Sequence, residues 1–403
     1  MLGRISGGRA AFAFIFTTVA LDMLALGVMI PVLPKLIAEF QGGDLARAST
    51  TVGVFGFTWA LMQFVFQPLL GAASDRFGRR PVVLLSNVGL GLDYVLMSGA
   101  PNLGFLFAGR VISGICAASF STANAYISDI TPQEGRAARF GMLGAAFGLG
   151  FVIGPAVGGL LGAIDLRAPF WVAAGLSLLN AAYGFFVLPE SLPPEKRADR
   201  MTWKTANIVG SLKLLNTSSV LRALGISTIL YYLAHESLPS IYVLYVDKRY
   251  GWDTGMVGLT LALVGIGSAI VSGGVTRPFV KRFGEWPALI LGHSCGAICF
   301  AIYALAPTGA VFLVGVPFGA LWGLGGPAQQ ALMSREVGQA EQGRLQGALG
   351  GLRATTGMVG PLLFSWIFAA SLRFETFAGA AYLLAAVLLV ASLASAITVR
   401  RKA

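Results

Sequence analysis

The chain has 403 residues, of which 56% are hydrophobic and only 12% charged, more apolar matter than a soluble domain needs to fill its core. That excludes an ordinary soluble enzyme or binding module and makes lipid the solvent for much of the polypeptide. The net charge of +11 comes from basic residues dispersed over short connections without a nucleic-acid motif, so it reads as an orientation signal and an attraction to anionic lipid, and no nucleic-acid partner is implied.

A membrane-crossing helix takes roughly 20 apolar residues, and such runs lie near 11–36, 51–73, 81–100, 103–128, 138–163, 169–188, 220–246, 256–277, 287–306, 309–333, 345–370 and 376–398. They are continuous and not alternating, which excludes a closed barrel. The first run follows Arg4 and Arg9 as a signal peptide would, but it is longer than one, carries Asp22 at its middle and lacks a cleavage site, so it is read as the first span. An even number of spans puts both termini on one side, and most of the Lys and Arg residues fall there. The excess predicts cytoplasmic termini.

In chain order, the first span holds Asp22 and the second Gln63. Between the second and third spans stands a tight basic turn, Gly71-Ala-Ala-Ser-Asp75-Arg76-Phe-Gly78-Arg79-Arg80-Pro81. Such a turn can latch two helices: Gly71 admits close helix approach, Asp75 can cap the third span or pair with a neighbour, and the arginines can reach Asp129 at the end of the fourth. A plain topology anchor has the same composition.

Asp93 in the third span and Arg110 in the fourth join Asp22 as charges within lipid depth. At 1.5 Å per residue all three lie very roughly 18 to 20 Å from the cytoplasmic side, so they can share one layer. Ionised groups there cost several kcal/mol each unless paired or hydrated, which makes them candidates for function. A carboxylate beside a cation keeps its charge, and one left alone in apolar surroundings takes up a proton, so an acid alternately paired with Arg110 is a proton-coupling device. A static Asp22–Arg110 salt bridge is the alternative. Asp93 has no obvious local partner.

The fifth span reads Gly150-Phe-Val-Ile-Gly154-Pro155-Ala-Val-Gly158-Gly159. Glycines four residues apart make a flat face for another helix, and Pro155 removes a backbone hydrogen bond and permits bending. A polar stretch over 191–219 is the linker, in which Lys204, Ile208, Leu212, Lys213 and Leu215 fit either a short surface helix or a solvated connection. Beyond it, the seventh span carries His235 and Glu236, the ninth His293, the tenth Gln329 and Gln330, and the eleventh Arg353. With Gln63 these are the candidate solute contacts. Cys116, Cys295 and Cys299 all fall inside spans and read as small apolar residues, so neither a disulfide nor a metal site is expected.

One offset relates the two halves. Phe77-Gly78 returns as Phe283-Gly284, Pro81 as Pro287, Gly154-Pro155 as Gly360-Pro361, and Gly141 with Leu143-Gly144 as Gly347 with Leu349-Gly350, each 206 residues later. A duplicated six-helix unit follows: residues 1–190 form one bundle and 220–403 the other. The second copy of the turn, Lys281-Arg282-Phe283-Gly284-Glu285, has Lys281 where Asp75 stands, so the latch is expected to be asymmetric.

The turn motif resembles the loop signature of the major facilitator superfamily, and the fifth-span pattern is similar to the antiporter motif of its drug:proton exchangers. Along nearly its whole length the chain resembles the tetracycline:proton antiporter branch, through Leu21-Asp22 leading to Pro31-Val-Leu-Pro34, Leu92-Asp93-Tyr94, Arg110-Val-Ile-Ser-Gly114, Pro327-Ala-Gln-Gln and Val359-Gly-Pro-Leu-Leu-Phe364. The resemblance implies an all-α membrane protein of the major facilitator fold, with 12 transmembrane helices in two pseudo-symmetric bundles. It implies export of a drug-like solute against protons from the bacterial inner membrane, by a monomer without a cofactor, with Asp22, Asp93 and Arg110 at the branch's functional charges. The chain departs from the branch in the ninth span, where His293 stands in place of an acid, and in the eighth, whose core has no ionisable residue. A symporter or uniporter for a sugar, organic acid or peptide shares the fold, though the fifth-span motif weighs against it. A membrane receptor would call for larger extramembrane domains.

Overall fold

A computed structural model describes residues 2–117, 119–132, 135–198 and 212–400. Among them all regular structure is helical. We name the spans α1 (Leu2–Met29, continued by Leu33–Phe40), α2 (Leu45–Phe77), α3 (Arg79–Ser98), α4 (Leu103–Cys116 and Ser119–Ile130), α5 (Arg136–Ile164) and α6 (Ala168–Val187). After the linker come α7 (Ser219–His235 and Ser237–Tyr250), α8 (Thr254–Ile270, a π turn at Val271–Val275, then Thr276–Phe283), α9 (Glu285–Leu305), α10 (Gly309–Trp322 and Gly325–Arg335), α11 (Gln342–Arg373) and α12 (Ala380–Ile397).

Ten helices among the described residues are long and apolar enough to cross a membrane. The other two spans, α4 and α7, are each broken into shorter pieces. In α7 the cause is local: Pro239 has no N–H to give the His235 carbonyl, and the helix restarts at Ser237. Several starts are capped by side chains, as where Asn102 Oδ1 accepts from Gly104 and Phe105 (3.0 and 3.3 Å) and Ser218 Oγ accepts from Leu221 (3.0 Å). The expected surface helix around Lys204 and Ile208 lies outside the described residues. Its end, Lys213–Asn216, is a single 3₁₀ turn whose Leu214 and Leu215 are buried with Leu221 and Leu224.

The chain packs as two compact units, the first made of residues 1–40, 58–204 and 253–262, the second of 41–57, 205–252 and 263–403. In unit 1 a cluster of Phe12, Phe14, Ile15, Val19, Val83, Tyr126, Ile127 and Leu143 joins α1, α3, α4 and α5. In unit 2 Leu221, Leu224, Leu289, Met333, Leu345 and Leu352 join α7, α9, α10 and α11. Large apolar side chains such as Leu160, Ile164, Leu179 and Phe186 point outward, which is the surface a lipid solvent asks for.

The fifth-span glycines do pack closely. A Cβ on Gly150 or Gly154 would lie within 3 Å of α1 backbone atoms at Leu24 and Gly27, and one on Gly158 would strike the Val28 carbonyl. Gly159 meets the first turn of α8 at Gly258, beside the Pro155 carbonyl. Within unit 2 the repeated pair does the same work: a Cβ on Gly53 or Gly56 of α2 would lie 2.8 Å from Pro361 of α11, and one on Gly360 would run into the stem of Glu236. Gly71 differs from expectation. No atom of the described residues lies within 4 Å of a Cβ there, and its carbonyl accepts the Ser74 hydroxyl (2.8 Å).

Candidate functional site

Two charged groups, Asp93 and Arg110, act on each other inside unit 1, and a third, Asp22, acts on the tyrosine beside them. The buried face of α3 runs through Val83, Asn87, Leu90, Tyr94 and Met97, with Asp93 at its edge toward α4. Asp93 is 0% exposed, and both of its carboxylate oxygens lack a hydrogen-bond partner among the described residues. It fits because position 109 is glycine: a Cβ there would lie 2.6 Å from Asp93 Oδ1. The next residue, Arg110, is 8% exposed, sets its guanidinium 5.3 Å from the Trp59 ring, and acts electrostatically on Asp93. Asp22 is 6% exposed, and its charge acts, like those of Asp93 and Arg110, on the buried phenol of Tyr94.

Two details differ from the sequence reading. Asp93, without a partner on sequence grounds, is the carboxylate whose charge acts on Arg110. Tyr94, Trp59 and Gly109 also belong to the site; the signal available was Gly109-Arg110 at the depth of Asp93. An acid buried without a hydrogen bond among the described residues, within electrostatic reach of an arginine, has a charge state that depends on its separation from that cation.

In unit 2, His235 and Glu236 stand at the break in α7, and the charge of Arg353 acts on both and on Tyr231. His293 is buried, with Nδ1 at 3.0 Å from the Leu289 carbonyl, its ring 5.1 Å from Tyr231. Trp322 completes an aromatic wall at 5.2 Å from Tyr231 and 5.3 Å from His235. Gln329 ties α10 to α7 by donating to the Leu224 carbonyl and Thr228 Oγ1, both at 2.9 Å, and also interacts with His293. Gln330 donates to Gln346 (2.9 Å). Gln63 is half-buried on α2, in unit 1. Cys116, Cys295 and Cys299 are free, and no cluster of three or more His, Cys, Asp or Glu suited to a metal occurs among the described residues.

The turn before α3 is an ion-pair hub. Arg79 reaches Asp75 (2.5 Å) within its own turn and Asp129 at the end of α4 (3.1 Å), and also donates to Ser74 (2.6 Å). Arg80 donates to the Phe185 carbonyl (2.6 Å), and Arg76 lies over the Phe77 ring. Asp75 does not cap α3. That place is taken by Glu190, which follows α6 just before the polar stretch. Glu190 accepts from the backbone of Arg79 (2.9 Å) and Arg80 (3.3 Å).

The equivalent corner of unit 2 repeats the geometry with the charges exchanged. Adding 206 to Arg79 and Asp129 gives Glu285 and Arg335, which form an ion pair. Gly284, like Gly78, has a positive φ (87° and 103°), yet no atom of the described residues lies within 4 Å of a Cβ at Gly284. A cavity of about 420 Å³ opens there, lined by Gly284, Glu285, Trp286, Arg335, Glu336 and Arg400 among others.

The family model described as Major Facilitator Superfamily matches residues 15–361. Tetracycline resistance protein, class C, of Escherichia coli is 40% identical over 378 residues, 94% of each chain. Tetracycline resistance protein, class G, of Vibrio anguillarum is 36% identical, over 90% of this chain and 91% of its own. The fold is shared with the nucleoside transporter NupG at a TM-score of 0.78 and 14% identity, over 97% of this chain and 99% of that one. The packing of α5 on α1, the charged group in unit 1 and the turn before α3 thus sit in a chain that belongs to the Major Facilitator Superfamily of multi-pass membrane transporters, in the group of the tetracycline resistance proteins.

Proposed function

We propose that this chain exports an amphipathic, drug-like small molecule of the tetracycline kind in exchange for protons. It does so by alternating access, as a monomer of two six-helix bundles in the bacterial inner membrane, with both termini in the cytoplasm and the proton gradient as its only driving force. The observation that carries the reading is Asp93: fully buried, without a hydrogen bond to either oxygen, and under the influence of Arg110. Such a group is costly at lipid depth and finds its use in changing charge. In the cycle, Asp93 or Asp22 takes up a proton as solute leaves and gives it up as the next solute binds. The tyrosine, histidine and tryptophan wall of unit 2 supplies apolar faces to the solute, with Glu236 and Arg353 for its polar edge.

The test uses purified protein in proteoliposomes under an imposed pH gradient, with tetracycline as the probe. The wild type should accumulate tetracycline against protons, and Asp93→Asn should abolish gradient-driven accumulation. Wild-type-like accumulation by Asp93→Asn removes Asp93 from the mechanism. Movement of solute in the same direction as protons overturns antiport.

A further inference from the structure

We infer that Glu190 is the positioning residue of the turn before α3, holding Arg79 in place between Asp75 and Asp129 without touching solute or proton. Its two carboxylate oxygens serve as a cap delivered from another helix. Oε1 accepts the first N–H of α3, from Arg79 (2.9 Å), and Oε2 accepts the next, from Arg80 (3.3 Å). The third residue, Pro81, has no N–H to satisfy. The same Oε1 closes the chain's own turn out of α6 by accepting from Ser191 (2.9 Å) and Leu192 (3.0 Å). A negative charge at this end also complements the helix dipole.

The fit is mutual. Gly78 adopts φ 103°, where a side chain is strained, and a Cβ there would run into the Glu190 carboxylate. Arg197 approaches that carboxylate from the linker at 3.8 Å. Ser191 donates to Asp129 Oδ2 (3.0 Å), the same oxygen that Arg79 Nε reaches at 3.1 Å. Ala198 N–H adds a bond to the Asp75 carbonyl (2.9 Å), and the Tyr126 hydroxyl one to the Pro189 carbonyl (2.8 Å). Residues 189–198 are therefore part of the latch and not a free connection. Both ends of the Arg79–Asp129 pair are held by the Glu190-Ser191 dipeptide. Arg79 also begins the helix that carries Asp93, so a loosened start of α3 changes the setting of the buried acid.

The kinetic arm of the test rests on the transport reading above, and the structural arm does not. Glu190→Ala should lower the maximal rate of pH-driven tetracycline transport about ten-fold, the loss of one helix cap and its linked ion pair, with KM changed less than about two-fold. Glu190→Asp should recover most of the rate, which a general folding defect would not allow. In hydrogen exchange, the Arg79 and Arg80 amides should lose protection in Glu190→Ala and keep it in Glu190→Asp. The cost of Gly78→Ala should be smaller in the Glu190→Ala background, where the carboxylate is gone. Unchanged exchange at Arg79 and Arg80 overturns the inference whatever the transport result. An unchanged maximal rate in a wild-type-active system, or an equal rise in KM, overturns it as well. Failure of the wild type to move tetracycline defeats the functional reading alone and leaves the exchange result to decide this one.

Discussion

At the start of α3 a cation, Arg79, is held by an acid at the end of α4; at the start of α9 an acid, Glu285, is held by a cation at the end of α10. Both corners keep a left-handed glycine before the helix and a proline at its third residue. What the repeat has kept is the backbone of the turn and the reach of the pair, and not the direction of its charge. The direction matters only where other charges define it. The Arg79 side chain bonds two acids, Asp75 and Asp129, while Glu190 holds its backbone, so a cation is favoured at that point. Around Glu285 stand Arg335, Glu336 and Arg400, of mixed sign, at the edge of a cavity.

The largest expected effect tests this preference. Arg79→Glu would set a fourth acid among three and should reduce transport to background while lowering the melting temperature in detergent. Adding Asp129→Arg should restore only part of the activity, because Asp75 and Glu190 still face the new acid. The matching exchange in unit 2, Glu285→Arg with Arg335→Glu, should leave transport close to wild type. Full recovery of the unit 1 exchange, measured in the same proteoliposomes, would break the comparison.

Next in size are the glycines. Gly78→Ala and Gly284→Ala each put a side chain on a backbone (φ 103°, ψ 159° and φ 87°, ψ 174°) that essentially only glycine adopts, at a cost of about 1–3 kcal/mol. Only Gly78→Ala must also displace a carboxylate from its backbone donors, a further ~1–3 kcal/mol. Thermal unfolding should therefore rank Gly78→Ala well below Gly284→Ala, and equal melting temperatures would mean that Glu190 moves aside freely. The smallest effect belongs to Glu285→Gln. Its partner Arg335 is 66% exposed, and such a pair contributes about 0–1 kcal/mol that salt screens. A melting shift that persists in high salt would show the unit 2 corner to be tied down more firmly than its surroundings suggest.

Much of this was legible in the residues. Runs of apolar side chains give the spans, and charges such as Asp93 and Arg110 stand out because lipid tolerates so few. The repeat at 206 was found through glycines and prolines, which return as the same letter. The Glu285–Arg335 pair lay at that same offset and escaped notice because exchanged charges share no identity. Glu190 was hidden for another reason: it follows Pro189 and adjoins a polar stretch, so its composition is that of a linker. Its role comes from the packing of α6 against α3, a contact distant in sequence. The break in α7 could have been read from Pro239, but a single proline inside an apolar run is compatible with either a kink or a stop. Gly71 shows the reverse error, where a residue type suited to close packing has no neighbour to meet among the described residues.

The Arg79–Glu190 hydrogen bond spans 111 positions of chain, and that distance has a consequence for how the protein is made. Chains emerge from the ribosome N-terminus first, at about 5–20 residues per second. The hairpin of α2 and α3 is complete many seconds before α6 arrives, and through that interval the start of α3 lacks its acceptor. Until then the Arg79 and Arg80 amides have only water to bond, and they pass to Glu190 once the sixth span is in place.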